Sequence, residues 1–101
     1  MDARLPAHLE VGAIRRLAEA MGGFATVLAR GEQSAGTVGV VLIGGGEPAT
    51  LYERMPSLTG ERAFVPVAAQ DPAEPARFDE LLQRRRARDP DLWLIEADVP
   101  E

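Results

Sequence analysis

Residues 37–43 have the sequence Thr-Val-Gly-Val-Val-Leu-Ile, and this stretch decides the fold class. Its β-branched and apolar side chains are typical of a β-strand. Both sides of such a strand are apolar, with Val38, Val40 and Leu42 on one side and Val41 and Ile43 on the other. A strand that is apolar on both sides needs protein against each face of its sheet. We therefore predict that residues 37–43 form a central strand.

Four more segments have the composition of strands. They are residues 24–30, 49–54, 62–67 and 92–95. Because residues 24–30 and 37–43 are joined by a short connection that begins and ends with glycine, we predict that they form a hairpin. Pro66 places its strand at an edge of the sheet or near a strand end, since proline cannot donate a ladder hydrogen bond. The segment Leu92-Trp93-Leu94-Ile95 is apolar on both sides and is predicted to be an inner strand.

An amphipathic helix is predicted before the first strand. Its apolar stripe consists of Val11, Ile14, Leu17, Ala18 and Met21. Pro6 suits the start of this helix, and the pair Gly22-Gly23 supplies a left-handed stop. The alternative is a short strand over residues 5–11, where apolar and polar residues alternate.

A second helix is predicted after the fourth strand. The sequence Asp71-Pro72-Ala73-Glu74 has the order of an N-cap, a first-turn proline and an acidic third residue. The buried stripe of this helix is formed by Phe78, Leu81 and Leu82. The helix is expected to end at Asp89-Pro90-Asp91, because proline disfavours helical geometry at the preceding residue.

These elements predict a single domain over residues 1–101 with an α+β fold. The expected architecture is an antiparallel-rich sheet of about five strands in the order αββββαβ, with two helices packed on one face. Two helices on one face would leave the other face of the sheet uncovered. Because a large uncovered apolar surface is typical of an interface, we expect a homodimer that packs sheet to sheet, or another protein docked there.

The composition excludes several kinds of site. The chain has 101 residues, a formal net charge of −5, one histidine and no cysteine. Disulfides, thiolate catalysis, iron–sulfur clusters and multi-histidine metal sites are therefore excluded, and we expect no cofactor and no metal centre. Charged residues interrupt the apolar residues of the N-terminus, which therefore lacks the unbroken apolar core of a secretory signal. No apolar stretch is long enough to span a membrane, so we expect a cytoplasmic protein.

Sequence motifs for catalysis are absent. Neither Ser34 nor Ser57 lies in a Gly-x-Ser-x-Gly elbow. The three glycines at residues 44–46 could cradle a phosphate, but no Gly-Lys-Ser or Gly-Lys-Thr follows them and the next segment is a strand. This context favours a β-turn. Asp89 and Asp91 could form an acid–base pair, although carboxylates on either side of a proline are more typical of turns and caps.

All eleven basic residues are arginines, and five of them lie in residues 77–88. The residues proposed to contact a ligand or partner are Arg15, Arg16, Arg84, Arg85, Arg86, Arg88, Asp89, Asp91 and Trp93. The cluster can complement the dipole at the end of the second helix, or it can bind an anion or an acidic protein segment. Nucleic acid is an unlikely partner, because the chain is acidic and has only five aromatic residues.

Several segments together resemble a family of small alphaproteobacterial proteins known as a domain of unknown function. They are Arg30-Gly31, Ala35-Gly36 before the valine-rich strand, Leu51-Tyr52, and the closing Asp89-Pro90-Asp91-Leu92-Trp93-Leu94-Ile95-Glu96. The Asp-Pro-Asp-Leu-Trp block is the most specific of these. The resemblance implies a short, single-domain, cytoplasmic bacterial protein, and it carries no established catalytic residues.

The sequence therefore favours a non-enzymatic binding or protein-interaction domain that forms a homodimer. The alternative is a small-ligand-binding protein or an enzyme whose arginines hold an anionic substrate. In that case Asp89, Asp91 or Tyr52 would supply the proton chemistry.

Overall fold

Two helices and five strands follow one another in the predicted order αββββαβ, and the fold is α+β. The computed structural model describes residues 5–56 and 62–100. The elements are α1 (Ala7–Ala20), β1 (Phe24–Ala29), β2 (Val38–Gly44), β3 (Glu47–Pro56), β4 (Arg62–Ala69), α2 (Pro75–Arg88) and β5 (Trp93–Asp98).

The strands form one mixed sheet in the order β1-β5-β2-β3-β4. β5 is antiparallel to β1 and parallel to β2, and the remaining pairs are antiparallel. The predicted hairpin between residues 24–30 and 37–43 is therefore wrong, because β5 lies between these two strands. The predictions of an inner position for β2 and β5 are confirmed, as is an edge position for the strand that contains Pro66.

The two helices lie on opposite faces of the sheet, so the prediction that both pack on one face is wrong. On the α1 face, Val11 packs with Val38, Trp93 and Ile95. On the α2 face, Phe78 packs in a cluster that includes Val41, Leu51 and Leu94. The physical reason is the two-sided apolar character of β2 and β5, since both faces of these strands must be removed from water.

The helix predicted before the first strand is confirmed, and the alternative of a short strand over residues 5–11 is wrong. Pro6 precedes the first helical residue, and Ala7 and Val11 are buried. Gly22 follows the helix with φ +86°, the left-handed conformation expected at its end. The glycines at residues 44–46 all have positive φ and join β2 to β3, so they form the expected turn.

α2 begins at Pro75, three residues later than the Asp71 cap signal indicates. Asp71 instead accepts a hydrogen bond from the Ala73 backbone N–H through Oδ1 at 2.9 Å, and so closes a turn before the helix. Pro75 takes the first helical position, where its missing N–H costs nothing. Phe78 is buried, and the helix ends at Arg88, one residue before Asp89.

The connection between β1 and β2 ties three parts of the fold together. The backbone N–H groups of Ala7 and His8 donate to the carbonyls of Ser34 and Gln33. The Glu32 N–H donates to the Asp91 carbonyl at 3.1 Å. A Cβ placed on Gly31 would lie 2.0 Å from that same carbonyl oxygen, so only glycine fits this approach.

We expect Gly31→Ala to lower the free energy of unfolding by about 1–3 kcal/mol, because the Asp91 backbone must move to admit the new methyl group. Gly12→Ala is the matched control. A Cβ there meets only an Arg16 guanidinium nitrogen at 3.4 Å, and alanine favours the helix. Urea denaturation of both variants makes the comparison, and equal stability of Gly31→Ala and the parent would contradict this account of the loop.

Candidate functional site

The predicted site residues lie at several places in the fold rather than at one. Arg85, Arg88 and Asp89 line a cavity of about 250 Å³ at one end of the sheet, together with Thr37, Glu53 and Arg54. Arg86 lines a different cavity of about 360 Å³, on the other side of Asp89. Arg15 and Arg16 are exposed on α1, and Arg84 is exposed on α2.

Arg85 joins α2 to the sheet. Its Nη1 donates to Oε1 of Glu53 on β3 at 2.7 Å, and the Glu53 side chain is largely buried. A guanidinium that already holds a shielded carboxylate has less capacity to recruit an anionic ligand. Among the described residues, Arg84, Arg86 and Arg88 form no ion pair. Of the five arginines in residues 77–88, Arg85 is a structural cation, Arg77 pairs with Glu74 on the surface of α2, and the other three face solvent or a cavity.

Asp89 and Asp91 hold the turn between α2 and β5. Asp89 accepts the Asp91 backbone N–H through Oδ1 at 3.1 Å, and the Thr37 hydroxyl lies 3.5 Å from its Oδ2. The Asp91 side chain is exposed, while its backbone carbonyl accepts the Glu32 N–H. These contacts support the turn interpretation of the two carboxylates rather than an acid–base pair.

Trp93 is buried at the start of β5. Its Nε1–H donates to the Glu32 carbonyl at 2.8 Å, and the Arg30 guanidinium carbon lies 5.7 Å from the ring centroid. The indole therefore anchors the β1–β2 connection to β5, and its ring packs in the core on the α1 face. A ring in this position has little surface left to contact a ligand.

Glu32 is a structural carboxylate that the sequence analysis missed. It accepts the backbone N–H of Ala35, and also that of Ser34 at 2.8 Å. The Ala35 N–H is the largest cause of the lowered pKa of Glu32. Desolvation is the next largest and opposes it, and the Ser34 and Gly36 N–H groups lower the pKa further. The signal that could have identified this turn is a loop with a glycine at each end, in which a glutamate precedes Ser34 and Ala35 by two and three residues.

The most distinctive surface is an apolar groove between α1 and the half of the sheet formed by β2, β3 and β4. The groove has a volume of about 300 Å³. Its walls are Ile14, Leu17, Ala18 and Met21 of α1, with Val40, Leu42, Tyr52, Phe64, Ala97 and Val99 from the sheet and the segment after β5. Carbon atoms form almost all of its surface. Such a surface favours contact with another apolar surface over contact with water.

A ridge beside the groove is formed by Leu17 and Met21, whose surfaces are 62% and 54% exposed. Both residues belong to the predicted apolar stripe of α1, but the fold leaves them largely exposed. Ala18 and Val11 are buried, whereas Leu17 and Met21 are largely exposed and line the groove. Leu9, two turns before Leu17, is also exposed.

An ion pair lies next to the groove. Nε of Arg54 donates to Oε1 of Glu10 at 2.7 Å and links β3 to α1, and Glu10 is buried. The Arg54 guanidinium carbon is 4.4 Å from the centroid of the Phe64 ring, which lines the groove. The pair therefore fixes the distance between the two walls. No pattern in the sequence indicates this ion pair, because Glu10 lies among the apolar residues of α1.

The described residues contain neither a candidate metal site nor a candidate membrane-spanning helix. No cluster of three or more His, Asp or Glu side chains in residues 5–56 and 62–100 could hold a metal ion. Within the same residues, no helix is both long and apolar enough to cross a membrane.

Because its pKa is lowered in the folded protein, Glu32 stabilises the fold above the ordinary pKa of an exposed glutamate, and this contribution is lost as the pH falls through its lower folded-state pKa. We expect the difference in unfolding free energy between the wild type and Glu32→Gln to shrink across that acidic window. Denaturation at a series of pH values measures it, and a difference that does not change with pH would contradict the role of the carboxylate charge.

Arg54→Met should destabilise the protein by about 2 kcal/mol, because it leaves the buried Glu10 carboxylate without its cation. The double variant Glu10→Leu/Arg54→Met no longer contains the buried Glu10 carboxylate, so it should be more stable than Arg54→Met alone. Thermal or urea denaturation of the three proteins makes the comparison. If the double variant is the less stable one, the ion pair does not have this role.

Comparisons with known proteins agree with the fold. A family model described as "Protein of unknown function (DUF1491)" matches residues 5–101. The crystal structure of a DUF1491 family protein from Caulobacter crescentus CB15 is 31% identical, with a TM-score of 0.78, and the match covers 94% of this chain and 88% of that one. A solution structure of a protein from A. tumefaciens is 31% identical, with a TM-score of 0.76 and coverage of 98% and 89%. The search of curated proteins found no match.

Proposed function

The chain belongs to the DUF1491 family, whose function is unknown, and we propose from its own surface that it is a protein-interaction domain that forms a homodimer through the apolar groove. This proposal differs from a dimer packed through a bare sheet face, because each face carries a helix. The uncovered apolar surface is instead the groove beside α1, on the part of that sheet face that the helix does not cover.

The observation that carries the proposal is that the ridge and the groove are adjacent on one surface. Leu17 and Met21 project beside a concave surface that includes Val40 and Phe64. A twofold axis brings the same patch of two copies together, so a patch must be complementary to itself. A ridge beside a groove meets this condition, since the ridge of each copy can occupy the groove of the other.

A standard interface buries about 800 Å² on each partner, which is about an eighth of the 6627 Å² of accessible surface of this chain. The groove and the ridge would supply the apolar centre of such an interface, and Arg16 and Glu19 on the neighbouring side of α1 would supply part of a polar rim. Burial of the exposed apolar side chains would provide the free energy of association.

The alternative function, an anionic ligand or substrate held by arginines, has weaker support. Arg85 is committed to Glu53, and Arg86 lines a different cavity from Arg88. A ligand site needs several polar groups that converge on one pocket. The proposal therefore includes no catalytic step. It places the dimer in the bacterial cytoplasm, a location with which a sequence without cysteines is consistent.

We expect the wild type to be a dimer at tens of micromolar, and Leu17→Glu to be a folded monomer. The substitution puts a charge at the centre of the interface, but it leaves the isolated monomer stable because Leu17 is mostly exposed there. Met55→Glu is the matched control, since Met55 is exposed on β3 outside the groove. Sedimentation velocity of the three proteins measures the change.

A monomeric wild type at these concentrations would contradict the homodimer. A Leu17→Glu variant that remains dimeric would show that the two copies meet elsewhere. Circular dichroism confirms that each variant is folded, so that a loss of association is not confused with unfolding.

A further inference from the structure

Strand β1 forms one edge of the sheet. Within the described part of the chain, β5 is the only strand that pairs with it. The outward-facing N–H and C=O groups of an edge strand are a template for one more strand. The described walls of the groove include no residue of β1, because they come from α1, from β5 through Ala97, from β2, β3 and β4, and from the segment after β5.

The two edges of this sheet differ in how they are protected. β4, at the other edge, contains Pro66, a residue type that discourages the addition of a strand. β1 has the sequence Phe-Ala-Thr-Val-Leu-Ala, without a charged residue or a proline. It has a register shift between Val27 and Ala29, which leaves residues 24–27 in regular pairing. The protein therefore blocks one edge of the sheet and leaves most of the other open.

Side chains of β1 are also exposed beside this open edge. Phe24 is 57% exposed, and Thr26 is exposed as well. These two residues share one face of the regularly paired part of β1, so an added strand would place its own side chains against this row. An apolar side chain opposite Phe24 would remove it from water.

Two carboxylates define the chemistry of the segment that fits. Glu96 of β5 pairs with Thr26, and Asp98 pairs with Phe24, so both acids lie on the same face as the exposed row. Neither forms an ion pair with another described residue. Adjacent strands are about 4.8 Å apart, so a long basic side chain on an added strand can reach across the small Thr26 toward Glu96.

We propose that β1 binds an extended segment of another protein as a sixth strand, and that this segment carries lysine or arginine between apolar residues on the face of Glu96 and Asp98. Backbone hydrogen bonds would supply affinity, and the two carboxylates would supply specificity. This site is distinct from the homodimer interface, and either can be present without the other.

The test uses the full chain and two synthetic peptides. The probe is acetyl-Val-Thr-Lys-Thr-Val-Thr-amide, in which lysine lies between two valines on one face of the strand, and the control peptide has glutamate in place of lysine. Titration followed by ¹⁵N–¹H correlation spectra should give saturable shifts centred on the amides of residues 24–28, and slower hydrogen exchange there. The acidic peptide should bind at least tenfold more weakly. Shifts centred on β4 or the groove, or equal binding of both peptides, would overturn the proposal.

Protein variants separate strand addition from general charge attraction. Glu96→Gln/Asp98→Asn should weaken binding of the basic peptide at least fivefold, and Thr26→Lys should abolish it. Ala63→Lys, an equal charge change at an exposed position on β4, should leave binding within twofold of the wild type. Equal weakening by Ala63→Lys and Thr26→Lys would overturn the site. Protection of the β1 amides in the homodimer without peptide would also overturn it, because the edge would then belong to a second copy.

Discussion

The burial of β5 between β1 and β2 is the constraint on which the rest of the structure depends. Leu94 and Ile95 are almost completely buried, and they face opposite helices. A strand that is apolar on both faces must have a neighbour along each edge and a layer above and below it. The chain meets these needs by separating β1 from β2, by returning through α2 in parallel with β2, and by placing one helix on each face.

This arrangement also creates the surface that we assign to interaction. Each helix covers part of one face, and α1 packs over β1, β5 and β2. The outer half of the α1 face, including Tyr52 and Phe64, therefore lies beside the helix rather than beneath it. The Glu10–Arg54 ion pair links this outer half to α1, so the groove has two connected walls. An apolar surface with a fixed shape can recognise a partner without first paying the entropy of becoming ordered.

Much of the fold could be predicted from local patterns. The two-sided apolar character of residues 37–43 gave an inner strand, Pro66 gave an edge, and the glycines after α1 gave its end. The pairing of β1 and the placement of the helices could not, because both depend on β5, the last element of the chain. The site was harder to predict. A cluster of arginines is easily recognised in a sequence. The partner of Arg85 is not, because Glu53 lies 32 residues away along the chain. Leu17 has the spacing of a core residue, and its exposure depends on the open groove beside α1, which local patterns do not predict.

The central claim is that Leu17 and Met21 of one copy occupy the groove of another, and intermolecular NOEs measure this most directly. A dimer assembled from one isotope-labelled and one unlabelled copy would report contacts between chains only. The account predicts cross-peaks from the Leu17 and Met21 methyl groups of one copy to the Tyr52 and Phe64 rings of the other. Intermolecular cross-peaks confined to other residues, or none at all from these methyl groups in a dimeric sample, would contradict it.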